Sequence, residues 1–394
     1  MPGLGKRVVM LSAVGAALCP ARARGQEVTA VARGGVYADS DHTQVYRSLG
    51  AAQVAWRHFG LHAQEEVDVV SSASTDVRAS PFLDALSGAS PVSPTMSDIR
   101  YETTVAGSWN DGDGHTASLQ AVYATERDYT SLGGGVTASW DLAQRNTTLL
   151  GGLNATTNDV TSIADPKFRA SLSMVGYSIG VAQIVTPNDA ARIRYDGGYL
   201  DGYQASPYRA VRFGNWHTAL RPGGAGLLFL GTIGSPNGLP EKLPGTRLRH
   251  AGSIEWLHAL ARDVGLAAQY RLAYDDWGVL AHTLGTELRI ARWQRWQARA
   301  SYRFYFQDAA DFWQTKYVSA PEAYQHYTSD KELGRERGHS ASVDGGYSFW
   351  RRPGGRLGAL VDVKVEYLYY AYPGFALLSD RSSVFGEIGL RLDF

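Results

Sequence analysis

The chain has 394 residues, with 38 basic and 38 acidic side chains, 44% hydrophobic residues and a mean hydropathy below zero. It is too polar for a bundle of membrane helices, each of which needs about 18 consecutive apolar residues, and its balanced charge excludes a strongly basic nucleic-acid-binding surface. A length that would ordinarily give two soluble domains also fits one large closed sheet, and 44 glycines and 22 tyrosines suit its turns and its interfacial aromatics.

At the start of the chain, Lys6 and Arg7 precede an apolar run from Val8 to Leu18. The small-residue sites Ala21-Arg22-Ala23 and Ala23-Arg24-Gly25 follow. This pattern predicts a Sec-type secretory signal over residues 1–25, removed near Gly25 or Gln26. The one cysteine, Cys19, would leave with it, which suits an oxidising compartment. Ala16-Ala17-Leu18-Cys19 offers an alternative lipoprotein reading, against which Leu18 is large where a small residue is expected. Losing the leader removes four bases, so the remaining chain carries more acids than bases.

Downstream the recurring period is two. The spacing predicts sixteen strands, approximately Val28 to Asp39, Thr43 to Trp56, Leu61 to Ser71, Asp98 to Trp109, Thr116 to Thr125, Ser131 to Trp140, Asn146 to Thr157 and Phe168 to Gln183 in the first half. The second half holds Ala190 to Tyr203, Thr246 to Ala261, Val264 to Asp275, Gly278 to Arg292, Arg295 to Gln307, His339 to Trp350, Arg356 to Ala371 and Ser382 to Phe394. The alternation is clearest from Arg295 to Gln307, where Trp296, Ala298, Ala300, Tyr302, Phe304 and Phe306 form one row and Gln297, Arg299, Ser301 and Arg303 the other. Side chains of a strand alternate between faces, so one row is dry and the other polar.

Short joints near His58, Asn110 to Gly114, Ala143 to Arg145, Arg262 to Asp263, Trp293 to Gln294 and Arg351 to Gly355 alternate with long connections over residues 72–97, 204–245 and 309–338. The pattern predicts an all-β fold: a single transmembrane antiparallel β-barrel over residues 26–394, with short periplasmic turns, long extracellular loops and both ends in the periplasm. The last segment places Leu390, Leu392 and the terminal Phe394 on one row. Such an ending is similar to the insertion signal of outer-membrane barrels, and it implies recognition by the barrel-assembly machinery. The alternative is the last strand of a soluble sandwich.

Motifs spread in order along the chain resemble those of a family of uncharacterised Gram-negative outer-membrane barrels, known only as a domain of unknown function. They are Val67 to Ser74, Asp84 to Pro91, Glu126-Arg127-Asp128-Tyr129-Thr130-Ser131, Pro207-Tyr208-Arg209-Ala210-Val211, Thr246 to Ala251, Tyr274-Asp275-Asp276-Trp277-Gly278 and Tyr305 to Phe312. Phe213 to Gly238 looks like a glycine-rich insertion relative to that family. The resemblance implies the fold and a place in the outer membrane, and no activity.

Ionisable groups on barrel strands are expected to face the lumen, because a mid-membrane Arg or Lys costs roughly 2 to 4 kcal/mol on the lipid side. The lumen-lining candidates are Arg192, Arg194, Asp196, Arg271, Glu287, Arg289, Arg299, Arg303, Asp362, Lys364 and Glu366. They read either as a neutralising ladder that stiffens the wall or as an anion-binding track. The serine-rich stretch with Ser71, Ser74, Asp84, Ser87 and Ser90 is a candidate constriction loop, against the reading of a plain surface loop. Asp311, Phe312, Trp313, Tyr317, Tyr324, His326 and Tyr327 gather aromatics that either stack on sugars or form a belt or loop core.

Catalytic chemistry is not expected. Adjacent His339 and Ser340 point to opposite faces, His250 with Glu255 makes no triad, and no metal-ligand spacing or phosphate loop is present. The sequence therefore predicts no cofactor and no metal. Its functional expectation is a porin-like or export channel for a polar solute or polymer, extracellular polysaccharide being one version. The alternative is a loop-plugged structural barrel that binds periplasmic or extracellular partners.

Overall fold

In a computed structural model, residues 26–74, 96–220, 227–233, 237–293, 295–351 and 358–394 are described. The expected signal and Asp84, Ser87 and Ser90 of the serine-rich stretch lie outside these residues. The strands are β1 (Glu27–Asp39), β2 (Thr43–Ala55), β3 (Phe59–Ser72), β4 (Met96–Asn110), β5 (His115–Thr125), β6 (Tyr129–Leu142), β7 (Thr147–Thr161), β8 (Arg169–Thr186) and β9 (Asp189–Gly202). Four short strands follow: β10 (Ala210–Val211), β11 (His217–Leu220), β12 (Leu227–Leu230) and β13 (Leu239–Pro240). Then come β14 (Thr246–Ala261), β15 (Val264–Asp275), β16 (Leu280–Trp293), β17 (Trp296–Gln307), β18 (Glu336–Arg351), β19 (Gly358–Ala371) and β20 (Asp380–Asp393).

Strands β1 to β9 and β14 to β20 form one closed antiparallel barrel of sixteen strands, each paired with its sequence neighbour. β1 pairs with β20 to close the ring, with Arg33 opposite Gly389 and Val31 opposite Arg391. Closure leaves no unpaired strand edge, the condition for a sheet to sit in lipid.

Register fixes which row faces where, since a slip of one residue would turn every side chain over. Leu266, Tyr270, Leu272 and Tyr274 on β15 are exposed, while Gln307, on the opposite row of the wall, is buried under residues 332–334. The first row is therefore outward and the second inward. The outward surface is mostly apolar between two aromatic girdles, with Glu65 of β3, which accepts from the Thr103 hydroxyl of β4, as a charged exception. Trp109, Trp140, Trp296 and Trp350 lie near the short-turn end, and Tyr46, Tyr123, Tyr199 and Tyr274 near the other. Such girdles mark the two membrane boundaries of outer-membrane barrels.

One end carries only short turns, including Pro187 and Asn188 between β8 and β9, a joint absent from the sequence expectation. At the other end the connections are uneven, and two corrections to the expected loops follow. Ser72, Met96, Ser97 and Glu336 to Gly338 belong to strands, because their backbones complete the ladders of β3, β4 and β18. The loop over 204–245 is not structureless, since β10 pairs with β13 and β11 with β12 inside it.

Candidate functional site: the lumen and its outer cap

All eleven lumen candidates lie on inward rows, and most meet an opposite charge. Arg194 donates to Asp196 at 2.7 Å, and Arg271 reaches the same carboxylate at 2.8 Å. Arg289 pairs with Glu287, and Arg299 pairs with Asp344 at 2.9 Å while lying 3.8 Å from Glu287. Lys364 lies 2.8 Å from Glu366, Arg192 pairs with Glu255, and Asp362 takes Arg33 at 3.2 Å. Arg303 faces Gly285 and Ser340 and has no acidic partner among the described residues.

The ladder extends beyond the residues singled out in the sequence. Arg33 contacts Glu387 at 2.5 Å, Arg47 bridges Glu66 and Asp68 at 3.0 and 3.1 Å, and Arg100 bridges Glu102 and Glu126 at 2.7 and 3.3 Å. Their row parity was available as a signal, but β1 and β2 are rich in glycine and alanine and show the alternation weakly. Glu126 sits in the β5–β6 turn, where burial pushes its carboxyl up from the usual value and the Arg100 guanidinium opposes the shift.

Four strands break this pattern. From β5 to β8 the inward rows carry Thr116, Ser118, Gln120, Thr137, Ser139, Asn154, Thr156 and Ser178, interspersed with Gly133, Gly135, Gly152, Gly176 and Gly180. The one charge on these rows is Asp141, at the short-turn rim, where Thr148 donates to it at 2.6 Å. Hydroxyls instead bond across strands, as Ser118 does with Thr137 at 2.6 Å.

The mouth at the uneven end is roofed by the two longest described loops. Val211, Phe213, Tyr317 and Tyr327 form one buried cluster, with Tyr324 packed against it. Trp277, Val279, Ala310 and Leu333 form a second, joined by Phe312 and Trp313. The Tyr317 hydroxyl donates to the carbonyl of Phe312 at 2.6 Å and accepts from the Thr328 N–H at 2.9 Å. Tyr317, only 1% exposed, and Tyr327 thus form a loop core with no free face for a sugar, while Phe312, Trp313, Tyr324 and His326 are half-buried around it.

The cap is tied internally and to the wall. Glu241, its side chain fully buried, accepts from the Thr328 hydroxyl at 2.5 Å and lies 3.4 Å from Arg209, which reaches Asp330 at 2.8 Å. Burial pushes the Glu241 carboxyl up, against the pull of Arg209 and Thr328. Gln307 on β17 donates to the carbonyls of Glu332 and Gly334 at 2.8 and 2.9 Å. Below, a cavity of about 600 Å³ is lined by Arg249, Arg271 and Tyr305 of the wall and by Asp330 and Leu333 of the cap. A second, of about 710 Å³, lies nearer the short turns beside Arg33, Arg289, Arg299 and Asp362.

Ser71 falls on the outward row of β3 and does not reach the lumen, which corrects its place among the constriction candidates. Ser74 is held at the rim, its N–H bonded to the Ser72 hydroxyl at 3.2 Å. His250 and Glu255 also lie on opposite rows, His250 with Tyr195 outside and Glu255 with Arg192 inside.

The motifs behind the family resemblance converge on the cap. Tyr208 bonds Asp128, so the Pro207 to Val211 and Glu126 to Ser131 stretches meet. Arg247 stacks 4.3 Å from the Trp277 ring and pairs with Asp275. Asp275 in turn accepts the N–H groups of Trp277 and Val279 at 3.1 Å. Gly278 completes that turn at φ +86°, where a Cβ would strike the Asp311 carboxylate.

Among solved structures the chain is similar to the "Bacterial polysaccharide outer membrane secretin", with TM-score 0.49, 8% identity, and coverage of 95% of this chain and 100% of that one. It is also similar to the "CymD monoaromatic hydrocarbon channel", with TM-score 0.41, 10% identity, and coverage of 95% and 89%. A Pseudomonas aeruginosa FadL homologue gives TM-score 0.39 and 10% identity over 94% and 89%. No functionally curated protein matches the sequence. A family model described as "Protein of unknown function (DUF3570)" matches residues 50–367, most of the chain, and the chain therefore belongs to the DUF3570 family.

Proposed function

We propose that this barrel is an outer-membrane channel for a polar solute or polymer, with the cap as its gate. The observation that carries the reading is the inner wall, whose rows are mostly polar and divide into an ion-paired arc and a neutral arc where hydroxyls and amides alternate with glycine and with Val122, Leu150, Leu172 and Met174. Inward rows are polar in open and in plugged barrels alike, and a ring of sixteen strands is wide enough to leave an aqueous passage. The neutral arc suits a hydrated, uncharged chain such as an extracellular polysaccharide, because hydroxyls and amides exchange hydrogen bonds with sugars without holding them by charge. The charged residues act in this reading as a stiffened wall rather than as a track.

This reading includes Sec-type export with loss of residues 1–25, insertion of the 26–394 barrel by the assembly machinery through Phe394, Leu392 and Leu390, and no catalytic role. Leu390 and Phe394 are outward and exposed, as a lipid-facing insertion signal requires.

The cap favours a second reading, a plugged barrel that presents its loops to periplasmic or extracellular partners. Planar-bilayer recording of the purified protein separates the two. The Tyr317→Ala variant removes the centre of the cap core, at a cost of roughly 3 to 5 kcal/mol to the cap. Conductance is expected to rise several-fold over the unaltered protein. A sealed bilayer with correctly folded Tyr317→Ala protein would overturn the channel and leave the scaffold.

A further inference from the structure

The outward face of β9 and β14 to β18 carries a feature that lipid contact alone does not require. Three strand seams repeat a Tyr–His pair: Tyr195 with His250 at 2.5 Å, Tyr270 with His282 at 2.8 Å, and Tyr302 with His339 at 2.7 Å, each through the phenol oxygen and Nδ1. A phenol donating to Nδ1 leaves the neutral imidazole proton on Nε2. Each pair then holds one N–H donor free of the barrel, on a mostly apolar surface.

Below these donors runs a groove. In one cross-strand row Trp256, Ala268, Thr286 and Tyr302 stand side by side, two large residues flanking two small ones. The next row, Ile254, Tyr270, Leu284 and Phe304, continues the walls, and the groove holds about 570 Å³. Tyr270 and Tyr302 line it while their hydroxyls are bound by His282 and His339, so the histidines also fix its walls.

Above the groove, His282, Phe306 and Arg337 form a third row. Arg337 is exposed, lies 6.0 Å from the Phe306 ring centre and has no acidic partner among the described residues. A cation and two N–H donors thus sit at the boundary end of an apolar channel wide enough for a hydrocarbon chain. Elsewhere on the outward girdle His115 is tied to Asp111 of its own turn.

We infer that this face binds a phosphorylated lipid of the surrounding leaflet, its acyl chain in the groove and its phosphate at Arg337, His282 and His339. Guanidinium and imidazole N–H groups at the edge of lipid are complementary to phosphate oxygens. The bound lipid would brace β14 to β18, the strands that carry Arg271, Arg299 and the Gln307 anchor of the cap on their inner rows.

Native mass spectrometry of the detergent-purified full chain tests this with two lipids of identical acyl chains, phosphatidic acid and diacylglycerol. Phosphatidic acid is expected to be retained at least about tenfold more strongly, about 1.4 kcal/mol. Arg337→Gln, at an exposed position the fold tolerates, and Ala268→Trp, which fills the groove and leaves the phosphate groups intact, should each lower retention about tenfold. Folding of each variant is checked by heat-modified mobility on gels. Equal retention of diacylglycerol would overturn the proposal, as would indifference to both substitutions, equal competition by inorganic phosphate alone, or a dimer of barrels that covers this face without lipid.

Discussion

The arc from β5 to β8 and the remainder of the wall are made from the same strand geometry, yet they solve the problem of an inward polar face differently. In the larger arc, long side chains cross from strand to strand and neutralise one another, as Arg33 does with Asp362 and Glu387. In the smaller arc, glycine alternates with short hydroxyl and amide residues, so few side chains there reach far into the lumen. Ion pairs whose arginines are this exposed contribute little each, about 0.2 to 1 kcal/mol, so the charged arc fixes geometry more than stability. Charge lines most of the wall, and passage is expected along the part without it.

The sharpest way to break this comparison is to add bulk on each side. Thr137→Trp should lower single-channel conductance at least about twofold, while Arg303→Trp, which replaces one long side chain by another, should leave it nearly unchanged. Equal effects of the two would remove the distinction between the arcs. A smaller effect concerns stability. Asn158, 1% exposed, accepts from the Tyr129 hydroxyl at 2.7 Å and donates to the Leu172 carbonyl at 2.8 Å. Asn158→Ala strands both partners and should cost about 1 to 3 kcal/mol. Arg299→Ala, at an ion pair in water, should cost less than about 1 kcal/mol. Urea unfolding in lipid vesicles ranks the two, and the reverse order would show that the ion-paired arc holds the barrel together.

The mildest prediction is a pH dependence of the cap. The raised Glu241 carboxyl means that the closed cap holds its proton more tightly than the released loop does. That contribution is complete below the ordinary glutamate value of about 4.3 and is lost as pH rises through the raised one. The open fraction should be lower at about pH 5 than at about pH 8. Glu241→Gln, neutral throughout, should show the low open fraction at both; an unchanged pH response in this variant would assign the effect to another group.

The barrel strands were readable because a lipid-facing row and a lumen-facing row leave a period of two in the chain. Every expected barrel strand has a counterpart, and β14 and β15 have the same bounds in both descriptions. The cap was not readable. Its ties join residues such as Arg209 with Asp330 and Lys316 with Trp216, far apart in sequence and set by no period. A run such as Leu227 to Leu230 shows only that something apolar is buried there, and Phe213 lies in what the family motifs suggest is an insertion, yet it packs on Tyr317. The lumen charges fall between these cases, since parity places them and only the register pairs them.

The seam between β1 and β20 constrains how the molecule is made. Thr29 donates to Asp393 at 2.8 Å across 364 residues of chain, and the backbones of Val28 and Phe394 exchange hydrogen bonds. No earlier stretch can substitute for that partner, so the edge of β1 stays open until β20 has arrived. During that interval the polypeptide is an unfinished sheet with an adhesive border. The ring therefore shuts only once the last strand is in place.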